Sequence, residues 1–392
     1  MSKRKDKLGR ILRQGESQRS DGRYCFKYVD ASGKTKYAYA WTLTIHDPIP
    51  KGRKPAPCLR EIEKQIQRDL FDGIAPQKMT VYELAEKYVS VRIGVRETTK
   101  TGYRTVLNFL AKDEFGRKYI SDVSTFDARS WLVRLQQEEG KSYSSIHTIR
   151  GVLRPAFQIA KEDGLVRSNP FSFELASVLI NDSVSRSAIT PRQERAFLNF
   201  VKGDSHFSRY YEGMFLLFKT GVRVSELCGL TKGDINFSGG YFDVRRQLQR
   251  TSDMRYYIEE PKSKNGIRRL PMPKAVKEAF AAVIANRRQV EEEPVIDGVS
   301  GFLFLDKNGM PEVALHWEKH FSYALAKYNR TYKQQLPKIT PHVCRHTYCT
   351  GLARNSVSPN RIQYLMGHSD ISISLGIYAH LGFEDVAEIM LD

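Results

Sequence analysis

The chain has 392 residues, 41% hydrophobic and 27% charged, a composition typical of a globular protein of two or three domains. Its 62 Lys and Arg outnumber its 44 Asp and Glu and give a net charge of +18, which indicates a polyanionic partner. No apolar run approaches the ~20 residues of a membrane span, and the basic N-terminus lacks the apolar segment of a secretory signal, so we expect a cytoplasmic protein that binds nucleic acid and no membrane.

The first 78 residues are the most basic part of the chain, with 18 of the Lys and Arg and 9 of the Asp and Glu. Alternating aromatic and polar residues in GRYCFKYVD (22–30) and KTKYAYAWTLTI (34–45) predict two strands joined by a turn, and Tyr24, Phe26 and Tyr28 would share one face. Residues 59–70 have helical spacing. We predict a sheet-plus-helix domain over residues 1–73. Its basic side either is simply solvated or lies on DNA, with phosphate contacts from Lys27, Lys34 and Lys36.

A helical block follows a predicted linker at residues 73–79. Thr80 and Glu83 predict a capping box at the start of the first helix, and residues 98–112, 126–138 and 144–163 continue the helical pattern. Arg150 and Arg154 lie one turn apart on the last of these helices and are candidate groove contacts, although such a pair is most often only solvated. We expect an all-α domain over 79–181, and the polar residues 181–187 predict a second linker.

Residues 185–392 indicate a mixed, mainly α domain with a small antiparallel sheet, so that the whole chain has a multidomain α+β fold. RYYEGMFLLFKTG (209–221) and RVSELCGL (223–230) predict helices, and the chain from about residue 311 is helical again. YFDVRRQL, MRYYIEE and IRRLPM predict three short strands, and the Asn-Gly pair in KSKNGI (262–267) predicts a hairpin between the last two.

Several polar residues of this last domain are ambiguous when each is considered alone. Arg223 follows a helix-ending glycine and is most simply an ion-pair partner of Glu226, while Lys264 lies at the tip of the predicted hairpin. His342 and Arg345 are three residues apart and share a face near a helix N-terminus, which attracts anions. His368 and Tyr378 follow in LMGHSDISISLGIYAH.

The order Arg, Lys, His-x-x-Arg, Gly-His, Tyr resembles the tyrosine recombinases, the phage-integrase family. TGVRVSELCGL (220–230) is similar to the family's first arginine box, HVCRHTYCTGLA (342–353) to its second, and LMGHSDISISLGIYAH (365–380) to its histidine-to-tyrosine segment. The resemblance covers at least residues 190–392, and the helical block before them fits the family's core-site-binding domain. The basic sheet domain in front, with the C-terminal LMGHSDIS…YAHLGFEDV, most resembles integrases of conjugative transposons.

Residue chemistry fits the resemblance. The hydroxyl of Tyr378 can attack phosphorus and preserve the bond energy in a covalent ester. The guanidinium forks of Arg223 and Arg345 suit the charge that builds on the non-bridging oxygens, and Lys264 suits protonation of the leaving 5′-oxygen. The resemblance implies that His342 assists proton transfer or orients the phosphate and that His368 hydrogen-bonds a non-bridging oxygen. Glu226 would orient Arg223.

The resemblance therefore implies a site-specific DNA recombinase that excises and integrates a mobile element through a 3′-phosphotyrosyl intermediate with a free 5′-hydroxyl. Residues 1–73 would bind arm sites, 79–181 would clasp the core site, and 185–392 would cut and rejoin double-stranded DNA. It also implies four protomers in the synapse, monomers or dimers on single sites, a C-terminal segment (383–392) that docks onto a neighbour, a small excision factor, and a bacterial, nucleoid-associated location.

No cofactor is expected. The sequence has no GxxxxGK[ST] phosphate loop, so ATP is not implied, and the five scattered cysteines suit a reducing cytoplasm. The spacing of His342, Cys344, His346 and Cys349 matches no closed zinc site well, and Arg345 between them argues against a cation. Two alternatives remain open: an enzyme resembling type IB topoisomerases or telomere resolvases, and a DNA-binding regulator that has kept the fold without its chemistry.

Overall fold

The computed structural model describes residues 4–30, 33–71, 78–182, 188–261 and 264–379, with the side chains of residues 264 and 379 excepted. The C-terminal segment 383–392 and most of the two predicted linkers lie outside these ranges. The chain divides into two compact units, residues 1–184 and 185–392. The predicted multidomain α+β fold is confirmed, because a small sheet with a helix, a helical block and a mainly α part with small antiparallel sheets follow one another. Within the described ranges, no helix is both long and apolar enough to cross a membrane.

The N-terminal sheet has three antiparallel strands in the order β1 (Glu16–Gln18), β2 (Tyr24–Val29) and β3 (Thr35–Ala40). Tyr24 and Phe26 are buried and form a core with helix α1 (Leu59–Phe71), and Tyr28 packs against the same core. The predicted common face of Tyr24, Phe26 and Tyr28 on β2 and the predicted helix are therefore confirmed. The opposite face of the sheet is largely open to solvent.

The helical block contains α2 (Val81–Ser90), α3 (Glu97–Lys112), α4 (Glu114–Arg117), α5 (Thr125–Gln137) and α6 (Tyr143–Glu162). The predicted capping box is confirmed: the Thr80 hydroxyl accepts from the Glu83 backbone N–H, and the Glu83 carboxylate accepts from the Thr80 N–H. This exchange satisfies two N–H groups that a helix start otherwise leaves unpaired. Inside, the rings of Phe115 and Trp131 stack at 4.1 Å between centroids.

The second unit begins with α7 (Pro191–Gly203), α8 (Tyr211–Thr220) and α9 (Val224–Cys228). Five strands follow: β4 (Ile235–Asn236), β5 (Tyr241–Val244), β6 (Gln247–Arg250), β7 (Tyr256–Glu259) and β8 (Arg268–Pro271). The remaining helices are α10 (Lys274–Ala285), α11 (Ala314–Thr331), α12 (Pro341–Arg354), α13 (Pro359–Met366) and α14 (Ile371–Ala379). Helix α8 is central, because it packs against both α10 and α12.

The predicted hairpin between the strands now labelled β7 and β8 is wrong. Strand β7 pairs with β6, whereas β8 pairs with β5 in a separate sheet of order β4-β5-β8. Asn265 and Gly266 lie in a 3-10 turn and neither has the positive φ that a two-residue Asn-Gly hairpin needs. Gly266 instead permits a close approach, since a Cβ there would lie 2.2 Å from the Cβ of Pro261.

Candidate active site

Arg223 is held at the start of α9 by the carboxylate of Glu226. Helix α8 ends at Gly221, whose φ of 63° lies in the left-handed region and turns the chain into α9. The Arg223 N–H donates to Glu226 Oε2 and its Nη1 donates to Glu226 Oε1, both at 2.8 Å. Its Nη2 donates to the carbonyl of Gly367 at 3.1 Å. Glu226 is fully buried, so this carboxylate fixes both the backbone and the side chain of Arg223.

Arg345 reaches the same place from α12. The hydroxyl of Thr340 caps this helix by accepting from the Val343 N–H at 3.3 Å. Arg345 is buried; its Nη1 donates to the Gly221 carbonyl at 2.7 Å, and its Nη2 donates to the Met366 carbonyl. Because Met366 and Gly367 are consecutive, their carbonyls bring the guanidiniums of Arg345 and Arg223 together.

Arg268 on β8 is a third guanidinium, which sequence reasoning missed. Its side chain is fully buried and donates to both oxygens of Glu226, at 3.2 and 2.9 Å. It also donates to the carbonyls of Leu365 at 2.9 Å and Gly266 at 3.0 Å. A signal was present: two consecutive arginines in a strand point to opposite faces, so one of them faces inward and needs an acid there.

The site carries more positive than negative charge. Among the described residues that form it, three guanidiniums surround the single carboxylate of Glu226. They belong to Arg223, Arg268 and Arg345, and together with Glu226 they form the guanidinium cluster. Burial raises the pKa of Glu226, but the positive charge of Arg268 more than offsets this, so its pKa lies below the usual range. Burial, together with the charge of Arg223, lowers the pKa of Arg345 to about 9. A bound anion would relieve this imbalance.

His368 lies directly after the turn at Gly367, whose φ is 62°. It is buried, and its Nδ1 lies 3.0 Å from the Oγ of Ser374, which is fully buried on α14. Burial and the charges of Arg345 and Arg223 lower the pKa of His368 to about 4. The imidazole is therefore neutral at neutral pH.

Tyr378 lies near the end of α14, which packs against α12 and α13. Its half-buried ring packs against the small apolar cluster that contains Cys349 and Ile362, and its hydroxyl donates to the Val357 carbonyl. Cys349 is one turn along α12 from Arg345, so the ring of Tyr378 packs near the helix that carries Arg345. Burial raises the pKa of the Tyr378 hydroxyl, so the phenol is protonated.

His342 and Lys264 are placed less fully than the other site residues. His342 lies in the first turn of α12, and its side chain is exposed, as is that of His346. Lys264 begins the 3-10 turn before β8, and its side chain lies outside the described part of the chain. The structure thus brings together Arg223, Glu226 and Arg345.

The prediction that Arg150 contacts a DNA groove is wrong, because its side chain is buried. The residue is 7% exposed, and its guanidinium donates to the backbone carbonyls of Phe171 (3.0 Å) and Phe173. It therefore supports the core of the helical block and presents no charge to a groove. Arg154 is exposed on the same helix.

The lysines of the N-terminal sheet are all exposed, but they do not share one face. Lys27 pairs with Tyr37 on the solvent face, whereas Lys36 pairs with Tyr28 on the helix side. Lys34 lies at the turn before β3. Sequence reasoning missed the aromatic character of the solvent face: Tyr39 and Trp41 lie within 5.8 Å of the guanidiniums of Arg19, Arg23 and Arg53.

Metal ligands do not cluster within the described ranges, where no three His, Cys, Asp or Glu side chains come together as a metal site requires. Cys344 and Cys349 are both buried in the packing of α12. Burial raises the pKa of the Cys349 thiol to about 11, which keeps it protonated and apolar in character.

Two family models match the sequence. The Phage integrase family matches residues 187–385, and the DNA binding domain of Tn916 integrase matches residues 1–70. The transposase from transposon Tn916 of Enterococcus faecalis is 40% identical over 384 residues, which cover 97% of this chain and 94% of that protein. The tyrosine recombinase XerD of Halalkalibacterium halodurans is 29% identical over 249 residues, 62% of this chain and 73% of that protein.

Solved structures show the same similarity. The Tn1549 transposon integrase in complex with transposon right end DNA has a TM-score of 0.75 and 40% identity, and covers 80% of this chain and 98% of that chain. A complex of the same integrase with circular intermediate DNA gives 0.75 and 39%, with coverages of 80% and 98%. The lambda integrase dimer bound to a COC' core site shares the fold at a TM-score of 0.55 and 17% identity, covering 94% and 95%.

Proposed function

From the premise that this chain belongs to the phage integrase family and is a tyrosine recombinase, we propose that it excises and integrates a mobile element through a 3′-phosphotyrosyl intermediate with a free 5′-hydroxyl. Site-specific recombination for a transposon follows from its relatives. The covalent chemistry, the direction of attack and the roles of single residues are the proposal.

One observation carries it: the guanidiniums of Arg223 and Arg345 converge on consecutive carbonyls, beside a third guanidinium and a single carboxylate. Such a site is electrostatically incomplete without an anion. A phosphodiester supplies one negative charge and two non-bridging oxygens, which planar guanidinium forks can bind in pairs. The same donors stabilise the additional charge of a pentacoordinate transition state, and their burial strengthens the interaction.

The proposed reaction conserves the phosphodiester bond. The hydroxyl oxygen of Tyr378 bonds to phosphorus as the bond to the 5′-oxygen breaks; the phenol loses its proton and the 5′-oxygen gains one. Lys264 donates that proton in our assignment, and the reverse attack by a 5′-hydroxyl rejoins the strand. No external energy source enters these steps, so ATP has no place in them.

The two histidines have different proposed tasks. His342, exposed in the first turn of α12, assists proton transfer or orients the phosphate at the helix N-terminus. His368 is neutral, because its pKa is lowered to about 4, and it therefore contributes a hydrogen bond to a non-bridging oxygen without adding a further charge.

Tyr378 must change its hydrogen bonding before it attacks. Its hydroxyl donates to the Val357 carbonyl, and the same proton cannot pass to a base while that bond persists. We propose that this contact is the resting arrangement of the nucleophile and that assembly on DNA releases it. Tyr378 lies on α14, and α14 packs against α12 and α13. The position of its hydroxyl therefore depends on those two helices.

The remaining domains give the site its specificity. We assign residues 1–73 to arm sites, through the exposed aromatic and basic face of the sheet that carries Lys27. Lys34, at the turn before β3, and Lys36, on the helix side, would add phosphate contacts from outside that face. Residues 79–181, with Arg154, would hold the core site, and 185–392 would cut. Four protomers would form the synapse, assembled from monomers or dimers, with a small excision factor in the bacterial cytoplasm. The Tn1549 integrase, whose structures contain transposon end and circular intermediate DNA, supports double-stranded DNA as the partner.

A nicked suicide substrate tests the proposal. The short strand beyond the cleavage site diffuses away after attack, so the covalent complex accumulates and is counted on a denaturing gel. The wild-type protein and Tyr323→Phe, a change at an exposed tyrosine of α11, should form it equally. Tyr378→Phe should form none while it still binds the DNA. Equal trapping by Tyr378→Phe would overturn the assignment.

A further inference from the structure

Ser374 is the one hydroxyl in direct contact with the imidazole of His368 among the hydrogen bonds of the described residues. Its Oγ lies 3.0 Å from Nδ1, and its side chain is fully buried, so water does not compete for this contact. Ser374 also lies four residues before Tyr378 on α14, on the same face of the helix. No role for it follows from the sequence motifs or from the guanidinium cluster.

The chemistry of a neutral imidazole makes this contact consequential. Burial and three nearby guanidiniums, Arg345, Arg223 and Arg268, disfavour the imidazolium form, and His346 acts in the same direction. A neutral imidazole carries one proton, on Nδ1 or on Nε2. Only the Nε2–H tautomer can donate from Nε2 to a phosphate oxygen, and in that tautomer Nδ1 is an acceptor that needs a donor. A serine hydroxyl can supply that donor.

We propose that Ser374 is a positioning residue: its hydroxyl donates to Nδ1 of His368 and holds the ring as the Nε2–H tautomer, ready to donate to a non-bridging phosphate oxygen. This inference rests on the proposed function, since it deepens the role of His368 in the same site. The bond also ties the helix that carries Tyr378 to the turn that carries His368. One side chain thus links the tautomer of His368 to the helix that carries Tyr378.

Matched variants separate the hydroxyl from the packing. Ser374→Thr keeps the hydroxyl and Ser374→Val replaces it by a methyl group of nearly the same size, so that both place the same extra volume in this buried site. Ser374→Ala is the simple deletion. Ser372→Ala removes a hydroxyl at an exposed position of the same helix and serves as the control.

The cleavage rate on the suicide substrate is the readout, together with DNA affinity and thermal stability. Ser374→Ala should cleave about tenfold more slowly than wild type, and Ser374→Val should cleave about tenfold more slowly than Ser374→Thr. DNA affinity should not change, and Ser372→Ala should match wild type. In a His368→Ala background the alanine change at 374 should cost nothing further, because Ser374 acts through the imidazole.

A methylphosphonate substrate sharpens the test, since it replaces one non-bridging oxygen by a methyl group. On the diastereomer that lacks the oxygen bound by His368, the Ser374→Ala penalty should vanish. Equal rates for Ser374→Thr and Ser374→Val, or an undiminished penalty in His368→Ala, would overturn the inference while leaving the proposed function intact. Absence of any covalent complex with the wild-type protein would instead remove the proposed function.

Discussion

The buried ion pair between Glu226 and Arg268 should be the most sensitive point of the guanidinium cluster. Both side chains are fully buried and joined by two hydrogen bonds, at 3.2 and 2.9 Å. Glu226→Gln removes the negative charge with almost no change of shape. The guanidinium of Arg268 then remains buried without its counter-charge, and Arg223 loses the carboxylate that orients it.

The size of the effect follows from these contacts. Removing one partner of a buried pair costs about 3–5 kcal/mol, because the remaining charge stays desolvated. Glutamine keeps one acceptor oxygen, which favours the lower end, so we expect the free energy of unfolding to fall by about 3 kcal/mol. Cleavage should slow by ~100-fold or more, as expected when a donor to the transition state is misplaced.

Trp317 offers a local probe for this measurement. The three tryptophans of the chain are Trp41, Trp131 and Trp317, and the last is buried on α11 of the second unit. With the first two changed to phenylalanine, urea unfolding followed by fluorescence of the full chain reports on the second unit alone.

A double-mutant cycle provides the control for the ion pair. In an Arg268→Met background the desolvated charge is already gone, so Glu226→Gln should cost at least 2 kcal/mol less than in wild type, in line with couplings of contacting residues. Additive losses within about 0.5 kcal/mol, or a loss below 1 kcal/mol for Glu226→Gln alone, would show that the desolvated charge of Arg268 does not cause the destabilisation.

Three further predictions concern titration, proton donation and DNA contact. The pKa of His368 is lowered to about 4 in the folded protein, so the unfolded chain binds a proton first as the pH falls below about 6.5, and stability should decrease between pH 6.5 and 4. His368→Gln should flatten the pH dependence of the melting temperature in this range, and an unchanged slope would contradict the prediction. Lys264→Ala should be inactive on ordinary DNA but active on a substrate with a 5′-bridging sulfur, because a thiolate leaves without a proton. The control Lys262→Ala should cleave ordinary DNA normally in the same kinetic assays, and the reverse pattern would make Lys262 the general acid. Arg150→Met should change the melting temperature and leave the salt dependence of DNA binding unaltered. Arg154→Ala should leave the melting temperature unaltered and change the salt dependence of DNA binding, measured in titrations at several salt concentrations.

Local signals in the sequence predicted local structure well. The capping box at Thr80, the helix over residues 59–70 and the shared face of Tyr24 and Phe26 all depend on neighbours within a few residues, and the structure confirms them. The family resemblance carried by the motif order likewise anticipated that Arg223, Glu226 and Arg345 come together.

Errors arose where a partner distant in sequence decides. The Asn-Gly pair at residues 265 and 266 favours a hairpin, but pairing of β8 with β5 and of β7 with β6 overrides it. Arg150 was grouped with Arg154, although its spacing from Ile146 and Leu153 places it on the buried face of α6. Carbonyls more than twenty residues away accept hydrogen bonds from its guanidinium there. Arg268 was missed for the same reason: its partner Glu226 lies on another element, and periodicity alone does not reveal such a pair.

The most direct test of the account is to identify the atom that holds the DNA in the covalent complex. Full-length protein trapped on a suicide substrate with a 5′ label is digested with trypsin and nuclease, and the modified peptide is sequenced by mass spectrometry. We expect a phosphate ester on Tyr378 that retains the 3′ end of the cleaved strand, with a free 5′-hydroxyl on the other fragment. An adduct on any other residue, or a 5′-phosphotyrosyl linkage, would contradict it.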